Sequence, residues 1–574
     1  MAVARLALTS FAEGEVRLSD EVEVYQRTYN TLLRSSGETQ LRVLEPSHRA
    51  MNSSLHPLAA SEELDLGAFL YAVSRLPHGI AGAHLVVMGQ DVEALSASGI
   101  PVESWQEAEA PARRRRWYDS GHGTLAVLMA SASDVDDLVP TLVAYQIEWN
   151  KIRVRMRAAG WPKDGSPDVP AEECASELGG SADDWRRLRN AWGEQFGERM
   201  QLIAERRLSL RVRMLGGTHT GYARLTRRWW APVSAELAIE GLTERPLYFV
   251  SSNTHSLVNM VTGIARELEP ELVAFVEQMD EEDILRQELD RFREGRTEGS
   301  WDNFLYFVAR DYFRTRGAEG RAERRAAEMR RGVTHLRSKT ALRVPAQVIP
   351  LGALDATALD PRIGEVDTEA LGVSDAVIVN IDYPLGVAAY NILREVAVDR
   401  TSLRGVYILG KAATLNADVG DVMISSVVHD EHSGSTYWLD NAFSVDDLAG
   451  DLRFGTGLDN QRAVTVKSTF LQNRAYLDFY YREAFTVVEM EAGPYCDAVY
   501  EIADADRHPV GEAVNFSKLP IDFGIIHYAS DTPYTQARTL GAQGLSYYGL
   551  DSTYASSLAI FRRILRLEGV LAPT

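Results

Sequence analysis

Residues 376–397 read AVIVNIDYPLGVAAYNILREVA. The run Ala376–Ile381 is apolar and rich in β-branched residues, so it predicts a buried strand. The polar turn NIDYPLG (Asn380–Gly386) leads into Leu385–Ala397, where apolar residues recur at helical spacing. A buried strand followed by a helix is the repeating unit of an α/β sheet, so this stretch predicts the fold class of its surroundings.

The same pattern of short apolar runs and helical segments continues on both sides of this stretch. Further strand-like apolar runs and one helical segment follow the pattern: Val344–Leu351, Gly405–Leu409, Val422–Val428, Phe485–Met490, Phe523–Tyr528 and the helix Ala492–Ala503. Strands that alternate with helices predict a mostly parallel or mixed sheet flanked by helices over residues 344–574. Ligands of such sheets bind beyond the carboxyl ends of the strands, which is where functional residues are expected.

The first 340 residues predict a helix-rich α/β region. Glu21–Arg34 and Leu64–Leu76 have helical periodicity, and the short apolar runs Ala83–Met88 and Thr124–Ala130 predict buried strands. Gly160–Asp183 is rich in Gly and Pro and is typical of a linker. We therefore expect three parts: a helix-rich α/β domain over 1–160, a helical α/β region over 184–340 that ends in a charged linker helix, and the sheet domain over 344–574.

Bulk composition excludes several classes of protein. The chain has 574 residues, 45% of them hydrophobic and 25% charged, which is ordinary for a soluble protein with more than one core. Its net charge of −21 disfavours nucleic acid as a partner. Two cysteines, Cys174 and Cys496, exclude a disulfide scaffold and indicate a reducing cytoplasm. No apolar run approaches the roughly 18 residues of a membrane helix, so no membrane partner is expected.

Four segments that end predicted strands carry a family resemblance. They are NIDYPLG (Asn380–Gly386), GKAATLNADVGD (Gly410–Asp421), VVEMEAGPY (Val487–Tyr495) and HYASDTPY (His527–Tyr534). In this order they resemble the nucleoside phosphorylase superfamily, which includes purine nucleoside phosphorylase, methylthioadenosine nucleosidase and AMP nucleosidase. The resemblance covers residues 344–570, and VEMEA with a downstream Ser-Asp is its most specific part. Residues 1–340 show no resemblance of this kind.

The resemblance implies catalytic roles for two carboxyl groups. Asp531 would protonate the departing base as a general acid, which requires a raised pKa such as burial provides. Glu491 would accept hydrogen bonds from the 2′- and 3′-hydroxyls of the ribose. Asp531 taken alone is also typical of a helix N-cap. Glu489 precedes Glu491 by two positions and is expected to be structural.

The resemblance also implies substrate-binding residues. Met490 would pack on the sugar and Phe470 would stack on the base, although both are equally typical of core packing. Ser530 belongs to the Ser-Asp motif. Gly410 and Lys411 lie in the expected glycine-rich turn.

Lys411 would pair with inorganic phosphate or with a 5′-phosphate, unless it turns outward or pairs with Asp382 or Asp421. Asp382 would assist the sugar or orient Lys411. The chemistry requires neither a metal nor an organic cofactor, and inorganic phosphate is a candidate co-substrate. Asp430, Glu431 and His432 are expected to form a solvated loop near the site.

The leading hypothesis is therefore cleavage of the N-glycosidic bond of a purine nucleoside or nucleotide. Hydrolysis is favoured over phosphorolysis, because the arginine that phosphorylases of the superfamily place near phosphate is not found in the resembling part. The alternative is a non-catalytic nucleoside sensor on the same fold. Members of the superfamily are often oligomers, so the resemblance implies a homo-oligomer.

Two interpretations remain for each of three polar stretches in the first 340 residues. Arg113–Arg116 is typical of a surface cluster, and Arg321–Arg331 is typical of a solvated helix face. Ser251–Ser256 follows a probable strand and is typical of an ordinary turn. In each case the alternative is an anion-binding site.

Overall fold

The computed structural model describes residues 21–35, 37–161, 169–280, 283–398, 402–504, 507, 509–533 and 549–572. Within these ranges the chain is a mixed α/β protein with two sheets flanked by helices, as predicted. Its strands are β1 (Thr39–Gln40), β2 (Leu85–Gly89), β3 (Gln106–Ala108), β4 (Trp117–Asp119), β5 (Thr124–Leu128), β6 (Arg211–Leu215), β7 (Leu247–Ser252), β8 (Thr334–Leu336), β9 (Ala346–Pro350), β10 (Val377–Asp382), β11 (Leu403–Thr414), β12 (Val422–Asp430), β13 (Thr436–Trp438), β14 (Gly457–Thr465), β15 (Val487–Glu489), β16 (Ala513–Asn515) and β17 (Asp522–Asp531).

The α-helices are distributed along the whole chain. In the first half they are Glu21–Ser35, Glu45–Ala50, Leu66–Arg75, Val92–Ala97, Ala132–Ala158, Ala171–Leu178, Ala182–Trp192, Phe196–Glu205, His219–Ile239, Ser256–Thr262, Ile264–Glu267 and Glu269–Glu277. In the second half they are Ile284–Arg293, Trp301–Thr315, Gly317–Arg330, Thr368–Val373, Ala388–Val398, Arg474–Arg482, Ala492–Ala503 and Leu550–Leu567. Among the residues described, none of these helices has the length and apolar character needed to cross a membrane.

The first sheet has six strands in the order β1-β6-β2-β5-β4-β3. Its central strand β2 pairs in parallel with both β6 and β5, and Val86, Val87 and Met88 of β2 are buried. The long helix Ala132–Ala158 is buried along most of its length. At its start the Asp134 carboxylate accepts hydrogen bonds from the backbone amides of Ala130 and Ser131, which precede the first turn.

The second sheet has eleven strands in the order β16-β13-β12-β14-β15-β11-β7-β10-β9-β8, and β17 pairs with both β11 and β12. Strands β10, β7, β11 and β17 run parallel in that order, which brings their carboxyl ends to one edge. Strands β9 and β15 are antiparallel to their neighbours β10 and β11, so the sheet is mixed. The apolar runs that predicted these strands are buried, as expected for a sheet with both faces covered.

The boundaries of the sheets differ from the predicted domain ranges. Strand β6, at 211–215, belongs to the first sheet, whereas β7, at 247–252, lies between β10 and β11 of the second sheet. The region 184–340 is thus divided between the two sheets. Periodicity predicts that a strand exists, but its parallel partner lies far away in the sequence and is selected by tertiary packing.

The predicted turn after Leu409 also differs from the structure. Strand β11 continues through Gly410 and Lys411 to Thr414, because β17 and β15 supply hydrogen-bonding partners on both of its sides. The chain leaves the strand only at Leu415.

The two sheets are joined by an extensive buried interface. One cluster of buried apolar residues contains members from both, including Val86 and Val406. Backbone contacts fasten the loop before Leu55 to the segment after Phe470: the amide of Ser54 donates to the carbonyl of Gln472 at 2.8 Å. The Asn473 side-chain amide also donates to the carbonyl of Met51, at 2.7 Å. This interface holds the first sheet against the edge where the strands of the second sheet end.

Candidate functional site

A cavity of about 770 Å³ lies at the junction of the two sheets. The second sheet contributes residues at the ends of β11, β15 and β17 and in the loop after β10. The first half contributes the end of the helix Leu66–Arg75 and the segment Pro111–Arg115 before β4. The position agrees with the rule that ligands of parallel sheets bind beyond the carboxyl ends of the strands.

Asp531 is the last residue of β17 and lines this cavity. Its side chain is 2% exposed, and burial raises its pKa to about 7, although Lys411 and Arg75 oppose the shift. The Oδ2 atom is buried and has no hydrogen-bond partner among the described residues. Asp531 lies within a strand and caps no helix in the described part of the chain. It is therefore a buried carboxyl group with an uncommitted oxygen.

Glu491 lines the same cavity, directly before the helix Ala492–Ala503. Burial raises its pKa to about 8, and the carboxyl group of Glu489 adds to this, whereas Arg113 and Arg114 oppose it. The structure thus brings together two carboxyl groups that are 40 positions apart in the sequence.

Glu489 holds the turn on which Glu491 sits. Its carboxylate accepts hydrogen bonds from the backbone amides of Glu491 and Ala492, each at 2.7 Å, and from the hydroxyl of Thr465. These contacts agree with the structural role expected for Glu489. They also orient the backbone so that Glu491 reaches the cavity.

Three further predicted residues lie on the cavity wall: Met490, Ser530 and Lys411. Met490 packs against a small apolar cluster that contains Val464 and Val488. The Ser530 hydroxyl donates to the carbonyl of Ala412 at 3.3 Å. Lys411 is exposed, and within the described ranges it makes no ion pair with a carboxylate.

The structure does not bring the other three predicted residues to the cavity wall. Phe470 is 1% exposed and packs among Leu55, Ala68, Tyr71 and Ala144 at the interface, so neither face of its ring is available for a base. Position 410 faces the opposite side of β11 from Lys411, as neighbouring strand residues do. A Cβ at this position would lie 3.0 Å from the His527 ring. Asp382 pairs with Arg114 instead of Lys411.

The first half of the chain supplies residues that the sequence analysis missed. Tyr71 lines the cavity, and the guanidinium of Arg75 lies 3.3 Å from the centre of its ring. Arg75 is 4% exposed, and its Nε has no hydrogen-bond partner among the described residues. The sequence offered no signal for either residue beyond a helical segment, because residues 1–340 resemble no superfamily member.

Arg113, Arg114 and Arg115 also line the cavity. The expectation of a surface cluster is wrong for the buried Arg115, whereas Arg113 is half-buried and Arg114 is exposed. Arg115 is 5% exposed and pairs with Asp134 at 2.8 Å and Asp137 at 2.7 Å. Arg113 pairs with Asp137 at 2.9 Å. Burial opposes ionisation of Asp137, yet the two arginines hold its pKa well below the usual range. Buried carboxylates therefore anchor this basic segment at the cavity.

The loop that follows β12 is half-buried at Glu431 and His432, where the sequence predicts a solvated loop. Asp430 is fully buried, and its Oδ1 lies 2.8 Å from the Nδ1 of His432. Glu431 accepts a hydrogen bond from the hydroxyl of Tyr480 at 2.8 Å. The described residues contain no group of three or more His, Cys, Asp or Glu side chains placed to hold a metal ion.

Comparison with known proteins identifies the family. The sequence profile of a family described as "Family of unknown function (DUF6909)" matches residues 41–566. The chain belongs to the DUF6909 family. No curated protein matches it.

Solved structures similar to this DUF6909 chain include two nucleosidases and a phosphorylase. The methylthioadenosine/S-adenosylhomocysteine nucleosidase of Colwellia psychrerythraea, in complex with adenine, is 14% identical with a TM-score of 0.28 and covers 42% of this chain and 89% of its own. The nucleosidase of Neisseria meningitidis, in complex with methylthio-immucillin-A, is 14% identical with a TM-score of 0.28, covering 41% and 92%. Uridine phosphorylase of Schistosoma mansoni, in complex with thymine, is 12% identical with a TM-score of 0.28, covering 44% and 86%.

Proposed function

We propose that the protein cleaves the N-glycosidic bond of a purine nucleoside or nucleotide. The observation that carries the proposal is the pair of carboxyl groups, the half-buried Glu491 and the buried Asp531, on the wall of one cavity. Cleavage of this bond develops positive charge on the ribose and negative charge on the base, so it needs an acid near the base and an anchor for the sugar.

Asp531 takes the role of the acid. With its pKa near 7 it is protonated in a large fraction of molecules at neutral pH, and it can deliver a proton to the departing ring nitrogen. Its Oδ2 atom has no hydrogen-bond partner in the described residues that would compete for that proton.

Glu491 takes the role of the ribose anchor. Burial raises its pKa and so disfavours the carboxylate, but two hydroxyl donors would stabilise the charged form. Arg113 and Arg114 already favour ionisation, so binding of a vicinal diol is expected to release a proton from Glu491.

The attacking group is water or phosphate. Hydrolysis is favoured in the sequence analysis because residues 344–570 contain no arginine at the phosphate position of the superfamily. The first half of the chain supplies arginines to the cavity, namely Arg75 and Arg113–Arg115, so this reason does not apply to the whole chain. Reactions with and without inorganic phosphate decide between hydrolysis and phosphorolysis: a free sugar forms in one case and a sugar 1-phosphate in the other.

The test uses the full chain and its Asp531→Asn variant. Each is incubated with a panel of purine nucleosides and nucleotides, and released base is measured by liquid chromatography. We expect the wild type to release base and Asp531→Asn to retain substrate binding while kcat falls by about 100-fold or more. The matched control Asp446→Asn removes an exposed carboxylate outside the cavity and is expected to keep full activity.

Full activity of Asp531→Asn would contradict the assignment of the acid. Tight binding of a nucleoside without release of base from any compound would instead identify the protein as a sensor.

A further inference from the structure

Three cavities of the molecule adjoin one another. A second cavity, of about 510 Å³, shares Pro111–Arg115 and Arg343 with the cavity that holds Glu491 and Asp531. A third, of about 280 Å³, shares Arg337 and Pro345 with the second. The shared walls place the three cavities along one trough, which begins at the two carboxyl groups and ends at the helix Gly317–Arg330.

The trough is basic although the chain carries a net charge of −21. The ionisable residues of the second cavity are five arginines and one carboxylate, namely Arg113, Arg114, Arg115, Arg337, Arg343 and Glu109. The third cavity adds three more arginines and two histidines against one carboxylate: Arg321, Arg324, Arg325, His255, His335 and Glu328. Like charges at this density repel one another, so an anion in the trough would be stabilised by all of them.

Several of these arginines are not neutralised by the protein. Within the described residues, Arg321, Arg325 and Arg337 have no carboxylate within ion-pair distance. Arg343 only approaches Glu107 and Glu109, at 3.8 Å each. Burial and the nearby charge of Arg337 lower the pKa of Arg325, although the charge of Glu328 opposes the shift.

By contrast, the arginines nearest to the carboxyl groups are held in place by ion pairs. Arg113 and Arg115 pair with Asp137, and Arg114 pairs with Asp382. These pairs fix one wall of the trough. Farther along, Arg337 and Arg325 have no ion pair with any described residue, and Arg343 has only the two long ones. The guanidinium group suits phosphate because its planar fork donates two parallel hydrogen bonds.

We propose that the trough binds a phosphate chain, so that the substrate is a nucleotide whose phosphates extend from the carboxyl cavity past Arg343 and Arg337 toward Arg325. The position of the nucleoside end rests on the proposed function; the phosphate subsite rests on the arginines alone. A cavity of about 770 Å³ is within the usual range for a small ligand, and the two further cavities provide room for a di- or triphosphate.

The experiment compares one purine nucleoside with its 5′-mono-, di- and triphosphate as substrates. The variants are the double variant Arg337→Ala/Arg343→Ala and the single variant Arg325→Ala, with Arg186→Ala, 56% exposed on another helix, as control. We expect KM to fall as phosphates are added, and the ratio of the triphosphate KM to the nucleoside KM to rise about tenfold or more in the double variant. The control should match the wild type.

A binding measurement separates this inference from the proposed function. Inorganic triphosphate is titrated into the wild type and the double variant by calorimetry at two salt concentrations. We expect salt-dependent binding that weakens about tenfold or more in the double variant. If no compound releases base but this loss is seen, the glycosidic-bond proposal fails and the phosphate subsite stands.

The inference is overturned if inorganic triphosphate binds both proteins equally, or if nucleoside and triphosphate react with the same KM and neither responds to the double variant. Circular dichroism and thermal unfolding of each variant confirm that it is folded. If the double variant is unfolded, Arg325→Ala serves as the test, with the same expected direction and the same overturning result.

Discussion

At the scale of single residues, three carboxyl groups around the cavity share one property. Burial raises the pKa of Glu489 and Asp531 to about 7 and that of Glu491 to about 8. A buried carboxylate loses its hydration, and the neutral acid is the form that tolerates this environment best. The same desolvation that suits Asp531 for the proposed proton donation therefore costs stability when the group ionises.

This cost predicts a stability difference that depends on pH. The pKa of Asp531 is higher in the folded chain than its ordinary value of 3.8, so its stabilising contribution is complete below about pH 4 and is lost as pH rises through 7. Asparagine does not titrate. We therefore expect Asp531→Asn to gain stability relative to the wild type between pH 5 and pH 8, by up to about 3 kcal/mol.

Urea unfolding at both pH values measures this difference, and Asp446→Asn is the control that should show none. A stability difference for Asp531→Asn that is constant with pH would mean that Asp531 does not titrate in this range.

At the scale of elements, the junction between β15 and the helix Ala492–Ala503 decides the geometry of the site. Glu489 is the last residue of the strand, and its carboxylate accepts from the two backbone amides that follow Met490. Glycine at position 493 allows the helix to start against β12, because a Cβ there would lie 2.5 Å from the Cβ of Asp430. Close packing and a side-chain acceptor together fix the direction in which Glu491 points.

Removal of the acceptor at this junction is expected to destabilise the protein. In Glu489→Ala the amides of Glu491 and Ala492 lose their partner in a buried environment, which costs about 1–3 kcal/mol. The free energy of unfolding, measured with urea, should fall by that amount, and activity should fall with it because Glu491 loses its position.

The matched control is Glu483→Ala, an exposed residue at the end of the preceding helix. Equal stability of the two variants would show that the carboxylate of Glu489 does not hold the junction.

At the scale of the whole molecule, the site belongs to neither sheet alone. The second sheet supplies the carboxyl groups. The helix and the loop that accompany the first sheet supply Tyr71 and the arginines. Strand β7 comes from the first half of the sequence but lies inside the second sheet. Its Phe249 pairs with Val379 of β10 on one side and with Val406 of β11 on the other. The resembling region, 344–570, is therefore not a complete folding unit.

A fragment of residues 344–574 is accordingly expected to fail to fold. It lacks β7, which leaves β10 and β11 without their shared partner in the middle of the sheet, and buried apolar strands would be exposed. Near-UV circular dichroism and denaturant titration should show no fixed tertiary structure and no cooperative transition. A fragment of residues 243–574, which restores β7, is the control and should recover more structure.

Base release by the fragment 344–574 at the rate of the full chain would contradict this view, because it would mean that neither β7 nor the arginine wall is required.

Local patterns predicted many elements because they depend on neighbouring residues. The run Ala376–Ile381 predicts the strand observed at Val377–Asp382, and the helical spacing of Glu21–Arg34 predicts the helix at Glu21–Ser35. The family resemblance predicted that Glu491 and Asp531 share a cavity, and the structure places both on one cavity wall because β15 and β17 both pair with β11 at Ala413. Phe470 was misplaced because nothing local distinguishes a ring that stacks on a ligand from one that packs in an interface.

The sequence by itself determined the α/β class and most strand positions, because periodicity is encoded over short stretches of chain. The family resemblance pointed to the two carboxyl groups, whose catalytic roles stay a proposal. Only the tertiary structure decided that β7 enters the second sheet and that Arg75 and Arg113–Arg115 turn inward to the cavity. The first outcome depends on pairing between residues more than 100 positions apart, such as Phe249 with Val379. The second depends on tertiary ion pairs such as Arg115 with Asp137, which no periodicity in the sequence predicts.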